Sequence, residues 1–291
     1  MARSREIVKR RRSVANIRKI TKTMEMIATA KFKKAFTRAS KAKPYTEKLS
    51  ELLRSLSAGA AELNHPLIRR NESNKVLVLV LTSNRGLAGA YNSSIIRLAQ
   101  RQLHELRDQG RPTELRLSGK KGIAYFRFVG ANAAKTYLEF DDKTPYAAVE
   151  KLADEFMDLY ARGEIGEVRI VYMRFVSAAL QYPHVLSLLP LKPAEKKETE
   201  KPALALDQYI FSPTAGEILA NLIPMTVRTE LFQCFIDAIV TEQTARMRAM
   251  KAATDNAEQM IKALGRQYNR ARQGQITSEL LDIIGGANAL A

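Results

Sequence analysis

One cysteine, Cys234, stands in 291 residues, so no disulfide can form within the chain and a reducing compartment is expected. No apolar run approaches the ~20 residues a membrane-spanning helix needs. The start, MARSREIVKRRR, lacks the apolar stretch of a signal peptide, and with no transit-like leader it points to a bacterial cytosolic protein. Acidic residues are in short supply, 30 against 47 Lys and Arg, for a formal net charge of +17. Such an excess calls for a polyanion, an anionic membrane or an acidic protein surface as partner. Histidine is also scarce. His65, His104 and His184 are scattered without ligand spacing, so no metal is expected. Glycine is missing from residues 3 to 56, and proline is missing after Pro224. The two ends of the chain are therefore nearly free of helix breakers.

Those ends carry helical patterns. From Met225 to Ala291 apolar residues recur in steps of three and four, at Phe232, Phe235, Ile239, Ala249, Ala253, Met260, Leu264, Tyr268 and Ala271. Pro224 suits a first helical position. A helix of 60 residues spans about 90 Å and needs an equally long partner for its apolar stripe. Residues 3–56 supply one, with Ile7, Arg11, Val14, Ile17, Thr21, Met24, Ala28, Lys31, Ala35, Ala39 and Ala42 at the same spacing. The alanines on this row, and Ala249, Ala252, Ala253 and Ala257 opposite, would let the axes approach closely. Because the chain must return to where it left, the pair is expected to run antiparallel. Pro44 marks a possible kink or break.

Between them, Val76 to Leu81 is continuously apolar, as in a strand buried on both faces of a parallel sheet. Further strands are expected at Thr113–Leu117, Lys135–Phe140, Glu167–Phe175 and Gln181–Leu191, with helices at Asn92–Gly110 and Pro145–Arg162. The order suggests a small doubly wound, Rossmann-like α/β domain at about 74–191. Residues 192–202 read as a charged linker, Asp207–Phe211 as strand-like, and Thr214–Leu222 as a short helix before the last one. The fold class is thus mixed α/β and α+β: a long antiparallel two-helix coiled coil from the termini, with a central α/β domain. Domain limits fall at 1–57, 74–211 and 212–291.

The chemistry-bearing motifs are thin. The loop SNRGLAGAYN after the first strand has Gly86 and Gly89, but GLAG is not GxGxxG, and no GxxxxGK[ST] occurs. A tight turn explains the glycines better than a nucleotide does. Asp141 and Asp142 read as a solvated turn. No catalytic residue and no cofactor are expected. The basic run Lys9, Arg10, Arg11, Arg12 has three readings: a solvated helix face, a face toward an acidic protein, or a nucleic-acid patch. Residues 1–43 hold 15 Lys and Arg against 2 Glu, whereas 225–291 hold 8 against 7 acids, so most of the excess sits in the first helix.

Three segments carry a family resemblance. KITKTMEMIATAKF (Lys19–Phe32), SNRGLAGAYN (83–92), and the pair ARMRAMKAATDNA (245–257) with ITSELLDIIGGANAL (Ile276–Leu290) resemble the signatures of the gamma subunit of bacterial F-type ATP synthases, in the same order along the whole chain. The resemblance implies a non-catalytic central-stalk rotor. It would couple proton flow through the c-ring to ATP synthesis or hydrolysis in a ring of alpha and beta subunits, with the epsilon subunit also bound. It implies a peripheral place on the cytoplasmic face of the inner membrane, held through the c-ring. Residues matching partner contacts with alpha and beta are Met24, Arg246, Arg272, Gln273 and Thr277, and the apolar tip adds Leu280, Leu281 and Ile284. The competing reading is a nucleic-acid-binding basic coiled coil.

Overall fold

The computed structural model describes residues 2–59, 65–191 and 215–290. The linker at 192–202 and the strand-like Asp207–Phe211 lie outside them. The elements in order are α1 (Ala2–Gly59), β1 (Val76–Leu81), α2 (Tyr91–Asp108), β2 (Thr113–Ser118), α3 (Lys120–Phe128), β3 (Lys135–Tyr137), α4 (Tyr146–Ala161), β4 (Glu167–Phe175), β5 (Gln181–Leu189) and α5 (Ala215–Leu290). They divide into two compact units, residues 30–245 and the pair of segments 1–29 with 246–291.

The larger unit is built on a five-stranded sheet of order β3-β2-β1-β4-β5. β1 lies at its centre, parallel to β2 and β4, and β5 closes one edge antiparallel to β4. The apolar run of β1 is explained by its place. Val76, Val78 and Val80 face α2 and α3, while Leu77, Leu79 and Leu81 face α4 and α5, and all six are buried. α2 and α4 show the stripes such a sheet demands: Tyr91, Ile95, Ile96, Ala99 and Leu106 on one, Val149, Leu152, Ala153, Phe156 and Tyr160 on the other. The start of α5 completes the second face with Leu219, Ile223, Val227, Leu231 and Phe235. A further stripe of α5, Ile236 and Val240, packs on Ala35 and Ala39 of α1.

This packing overturns one boundary. Pro224 was expected to open the last helix after a separate short one, but α5 begins at Ala215 and runs straight through it. A proline inside a helix costs about 3 kcal/mol for the lost hydrogen bond and ring clash. Leu219 and Ile223 before it and Val227 and Leu231 after it are buried in one core. At roughly 1.5–3 kcal/mol each, those four side chains outweigh the defect. Pro44 likewise sits inside α1, which does not break there.

In the smaller unit the two long helices pair antiparallel. Arg11 stacks on the ring of Tyr268 at 5.7 Å, and the hydroxyls of Thr21 and Thr254 lie 2.8 Å apart. Val14, Ala257 and Leu264 form the apolar seam, with Ile7 and Ile261 against it. Three expected seam residues are misplaced: Ile17 and Met260 are exposed, and so is Ala252. On α5 the contact row runs Met250, Thr254, Ala257, Ile261, Leu264, Tyr268, in alternating steps of four and three. Ala253 and Met260 each lie one residue off it, which turns a side chain by about 100° around the axis.

One carboxyl in the larger unit is out of place. Glu230 sits on α5 beside the apolar face, largely covered, and burial pushes its pKa up to about 7. In the unfolded chain it titrates near 4.5, so the folded state binds the extra proton between those values. Stability should then fall as pH rises from about 4.5 to 7. Glu230→Gln is expected to stabilise the chain by about 2 kcal/mol above pH 7 and to flatten that slope. Urea unfolding at pH 5 and pH 8 checks it; equal gains at both would refute the assignment.

Candidate functional site

In open α/β sheets ligands bind beyond the carboxyl ends of the strands, where the strand order reverses. Here that place lies beside the end of β1, and the chain has filled it. The loop 83–89 turns back through positive φ at Leu87 and Gly89. The first amides of α3 are all spent on this loop and its approach. Lys120 N–H donates to Asn84 Oδ1 at 3.1 Å, Lys121 N–H to Ser83 O at 3.1 Å, and Gly122 N–H to Thr82 Oγ1 at 2.9 Å. Asn92 Oδ1 accepts the Ser83 N–H at 3.0 Å. A phosphate at a helix N-terminus needs free amides, and α3 offers none in its first turn. From the other side α5 closes the space, with Tyr91 Oη donating to Ala238 O at 3.1 Å. The cavity that remains, about 320 Å³, mixes Arg85 and Lys120 with Asp141 and Glu242. It suits neither a dinucleotide nor a catalytic pair.

Among the described residues no catalytic constellation forms elsewhere either. Among the described residues no three His, Cys, Asp or Glu converge as metal ligands. His104 pairs loosely with Asp108 at 3.5 Å, and His184 stands edge-on to Tyr172 and Tyr182. Cys234 is buried, and burial pushes its thiol well up, so it is no nucleophile. A groove of about 910 Å³ along α2 and α3 is lined by Arg97, Arg101, Arg107, Phe126 and Val129 without a carboxylate.

The β3–α4 loop is where the sequence reading fails. Asp142 is no solvated turn residue: it pairs with Lys31 of α1 and accepts Gln243 Nε2 of α5 at 2.7 Å. Arg38 Nη2 donates to Thr144 O at 2.9 Å on the same loop. A signal was present in Lys31, a cation between Ala28 and Ala35 on the seam row, where a partly buried charge calls for a carboxylate nearby.

What the smaller unit exposes is informative. Its seam is closed, yet α1 turns Ile17, Ile20, Met26 and Ile27 outward, each more than half exposed. α5 beyond Tyr268 exposes Ile276, Leu280, Leu281, Ile283 and Ile284, up to 72% at Ile283. A helix apolar on several faces belongs inside something else. The residues expected to meet partners divide accordingly. Arg272, Gln273, Thr277, Leu280, Leu281 and Ile284 are exposed on this outer stretch, and Lys9, Arg10, Arg11 and Arg12 are exposed on α1. Met24 is half-buried, and Arg246 is buried at 7% exposure.

Comparison with known proteins agrees along the full length. A family model described as ATP synthase matches residues 3–290. The ATP synthase gamma chain of Rhodopirellula baltica is 43% identical over 295 residues, spanning 100% of this chain and 99% of that protein. The gamma chain of Leptospira biflexa is 39% identical over 292 residues, spanning 100% of both. Among solved structures, a chain of the Euglena gracilis mitochondrial ATP synthase (OSCP/F1/c-ring) superposes with a TM-score of 0.65 at 18% identity, covering 99% of this chain and 95% of that one. A chain of the Tetrahymena thermophila mitochondrial ATP synthase central stalk and c-ring gives 0.55 at 19% identity, covering 80% and 99%. Fold, length and sequence therefore agree, and the chain belongs to the ATP synthase gamma-chain family.

Proposed function

We propose that this chain is the central-stalk rotor of an F-type ATP synthase, turning with the c-ring and driving the catalytic sites of an alpha3beta3 ring without chemistry of its own. The observation that carries the reading is the apolar outer surface of the paired helices and of the α5 overhang. A shaft enclosed in a sleeve of partner subunits has a use for such a surface; a free protein does not. The filled crevice at β1 supports the non-catalytic part. The α/β unit is the natural seat for the epsilon subunit and c-ring. No helix among the described residues is long and apolar enough to cross a membrane. Attachment to the cytoplasmic face of a bacterial inner membrane would then come through the c-ring.

Within this reading Arg272, Gln273, Thr277, Leu280, Leu281 and Ile284 meet the top of the sleeve. Met24 and Arg246 lie where an acidic segment of a beta subunit passes, and Lys9–Arg12 add positive charge on the same helix pair. The relatives give the nucleic-acid alternative no support. The test is reconstitution. The chain alone should hydrolyse no ATP, and membranes rebuilt with alpha, beta and the remaining subunits should pump protons only when it is included. Equal pumping per ATP without it would overturn the proposal.

A further inference from the structure

We propose that Asp142 is a torsional clamp through which the α/β body grips both long helices, so that twist passes between body and helices without slip. The role rests on the rotor reading; the grip itself does not. The loop that carries Asp142 is stiff. Lys143 N–H donates to Asp141 Oδ1 at 2.8 Å, and the Thr144 hydroxyl, on a buried residue, lies 2.7 Å from both the N and the O of Asp141. Asp141 thus shapes the turn and leaves Asp142 to work outward. Its two oxygens are divided between the helices: Oδ2 takes Lys31 of α1, and Oδ1 takes Gln243 of α5, whose side chain is buried. Two turns along α1, Arg38 binds the same loop through Thr144 O at 2.9 Å and Asp142 O at 3.4 Å.

The location is telling. Lys31 and Gln243 lie within two residues of Ala30 and Ala245, where the two helices leave the larger unit. The apolar contact between the helices here is made by Ala35, Ala39, Ile236 and Val240, with Phe32, Phe175, Phe232 and Ile239 packed against them. Apolar contact resists separation but is non-directional, so it fixes the angle between body and helices less sharply than directed bonds do. Hydrogen bonds and ion pairs have preferred directions, and three of them from two helices converge on one loop. An ion pair this exposed adds little to stability, so its consequence should appear in stiffness before it appears in folding.

The experiment has two arms. In the first, amide exchange is measured on the full chain. Asp142→Ala should exchange faster at 30–38 and 239–245, with the sheet strands unchanged. In the second, the chain is assembled with alpha and beta subunits fixed to a surface, and a bead is attached at Arg127→Cys on α3, the native Cys234 being buried. Angular fluctuations during pauses give the torsional stiffness. Asp142→Ala is expected to lower stiffness about twofold, since it removes two of the converging contacts, while unloaded ATP hydrolysis and step size stay the same. Asp142→Asn, which keeps the shape, should fall between. The charge swap Lys31→Asp with Asp142→Lys should recover part of the loss, which a mere packing defect would not. Wild-type stiffness in both single variants, or no recovery in the swap, overturns the proposal. A wild-type bead that never turns with ATP would count against the rotor reading alone, and the exchange arm would still decide the grip.

Discussion

A Gly119→Ala chain is expected to lose at least ~4 kcal/mol of stability, enough to unfold most of the α/β unit at 37 °C. Gly119 joins β2 to α3 with φ 93° and ψ 137°, a region that side-chain-bearing residues scarcely enter. An added Cβ would stand 2.1 Å from Thr82 O and 2.8 Å from Thr82 Oγ1. Thr82 cannot move aside. Its hydroxyl donates to Ser118 O at 2.7 Å and receives the Gly122 N–H at 2.9 Å, and its own N–H donates to Ser118 O at 2.9 Å. Strain of about 1–3 kcal/mol from the backbone thus adds to a clash with fixed main chain. Gly110→Ala is the control: φ is also positive, at 66°, but nothing lies within 4 Å of the new Cβ. It should cost only about 1–2 kcal/mol. Urea unfolding followed by tyrosine emission separates the two, and equal midpoints would refute the steric argument.

The same corner shows what a sequence can and cannot disclose. The six apolar residues of β1 announced a strand covered on both faces, because no other position tolerates such a run. The weak glycine pattern of 83–92 announced a tight turn, and the loop does turn through positive φ at Leu87 and Gly89, with the first amides of α3 bonded to Thr82, Ser83 and Asn84. The antiparallel pairing of the ends followed from the missing glycine and proline and from the small residues. Contacts across large sequence separations were hidden. Asp142 looks solvated until Lys31 and Gln243 arrive from 111 and 101 residues away. Pro224 looks like a boundary until the burial of its neighbours is known. The exact seam also escaped, since several alanines, methionines and isoleucines on each helix fit a three-four row and only the partner selects one. The exposed tip at Ile276–Ile284 was legible as apolar and small. Its possible contacts lie on other chains, which no single sequence contains.

Arg116 belongs to the hidden class, and its replacement should have the second large effect. In TELRL it alternates like an outward polar residue, yet only 5% of it is exposed. Its guanidinium donates to Glu114 at 2.8 Å, Glu155 at 2.6 Å and the Tyr137 hydroxyl at 3.0 Å, and lies 5.4 Å over the Phe156 ring. Lys75 and Lys135 hold the outer sides of the same carboxylates at 2.6 and 2.8 Å. Arg116→Ala removes the centre of this network and leaves two carboxylates short of donors, so a loss of about 3 kcal/mol at pH 7 is expected. Burial works to raise the pKa of Glu114 and Glu155, but hydrogen bonds from Lys75, Lys135 and Arg116 outweigh it and hold both below the usual carboxylate range. Their contribution is therefore complete above the unfolded value near 4.5 and is lost as pH falls through 4.5 toward the lower folded values. The wild type should have the steeper acid limb, and the gap between it and Arg116→Ala should narrow below about pH 4. Adding Glu114→Gln and Glu155→Gln to the variant should recover part of the loss at pH 7, because no buried charge then lacks its partner. A gap unchanged from pH 7 to pH 3.5 would mean that Arg116 acts through its contact with Phe156 and not through charge.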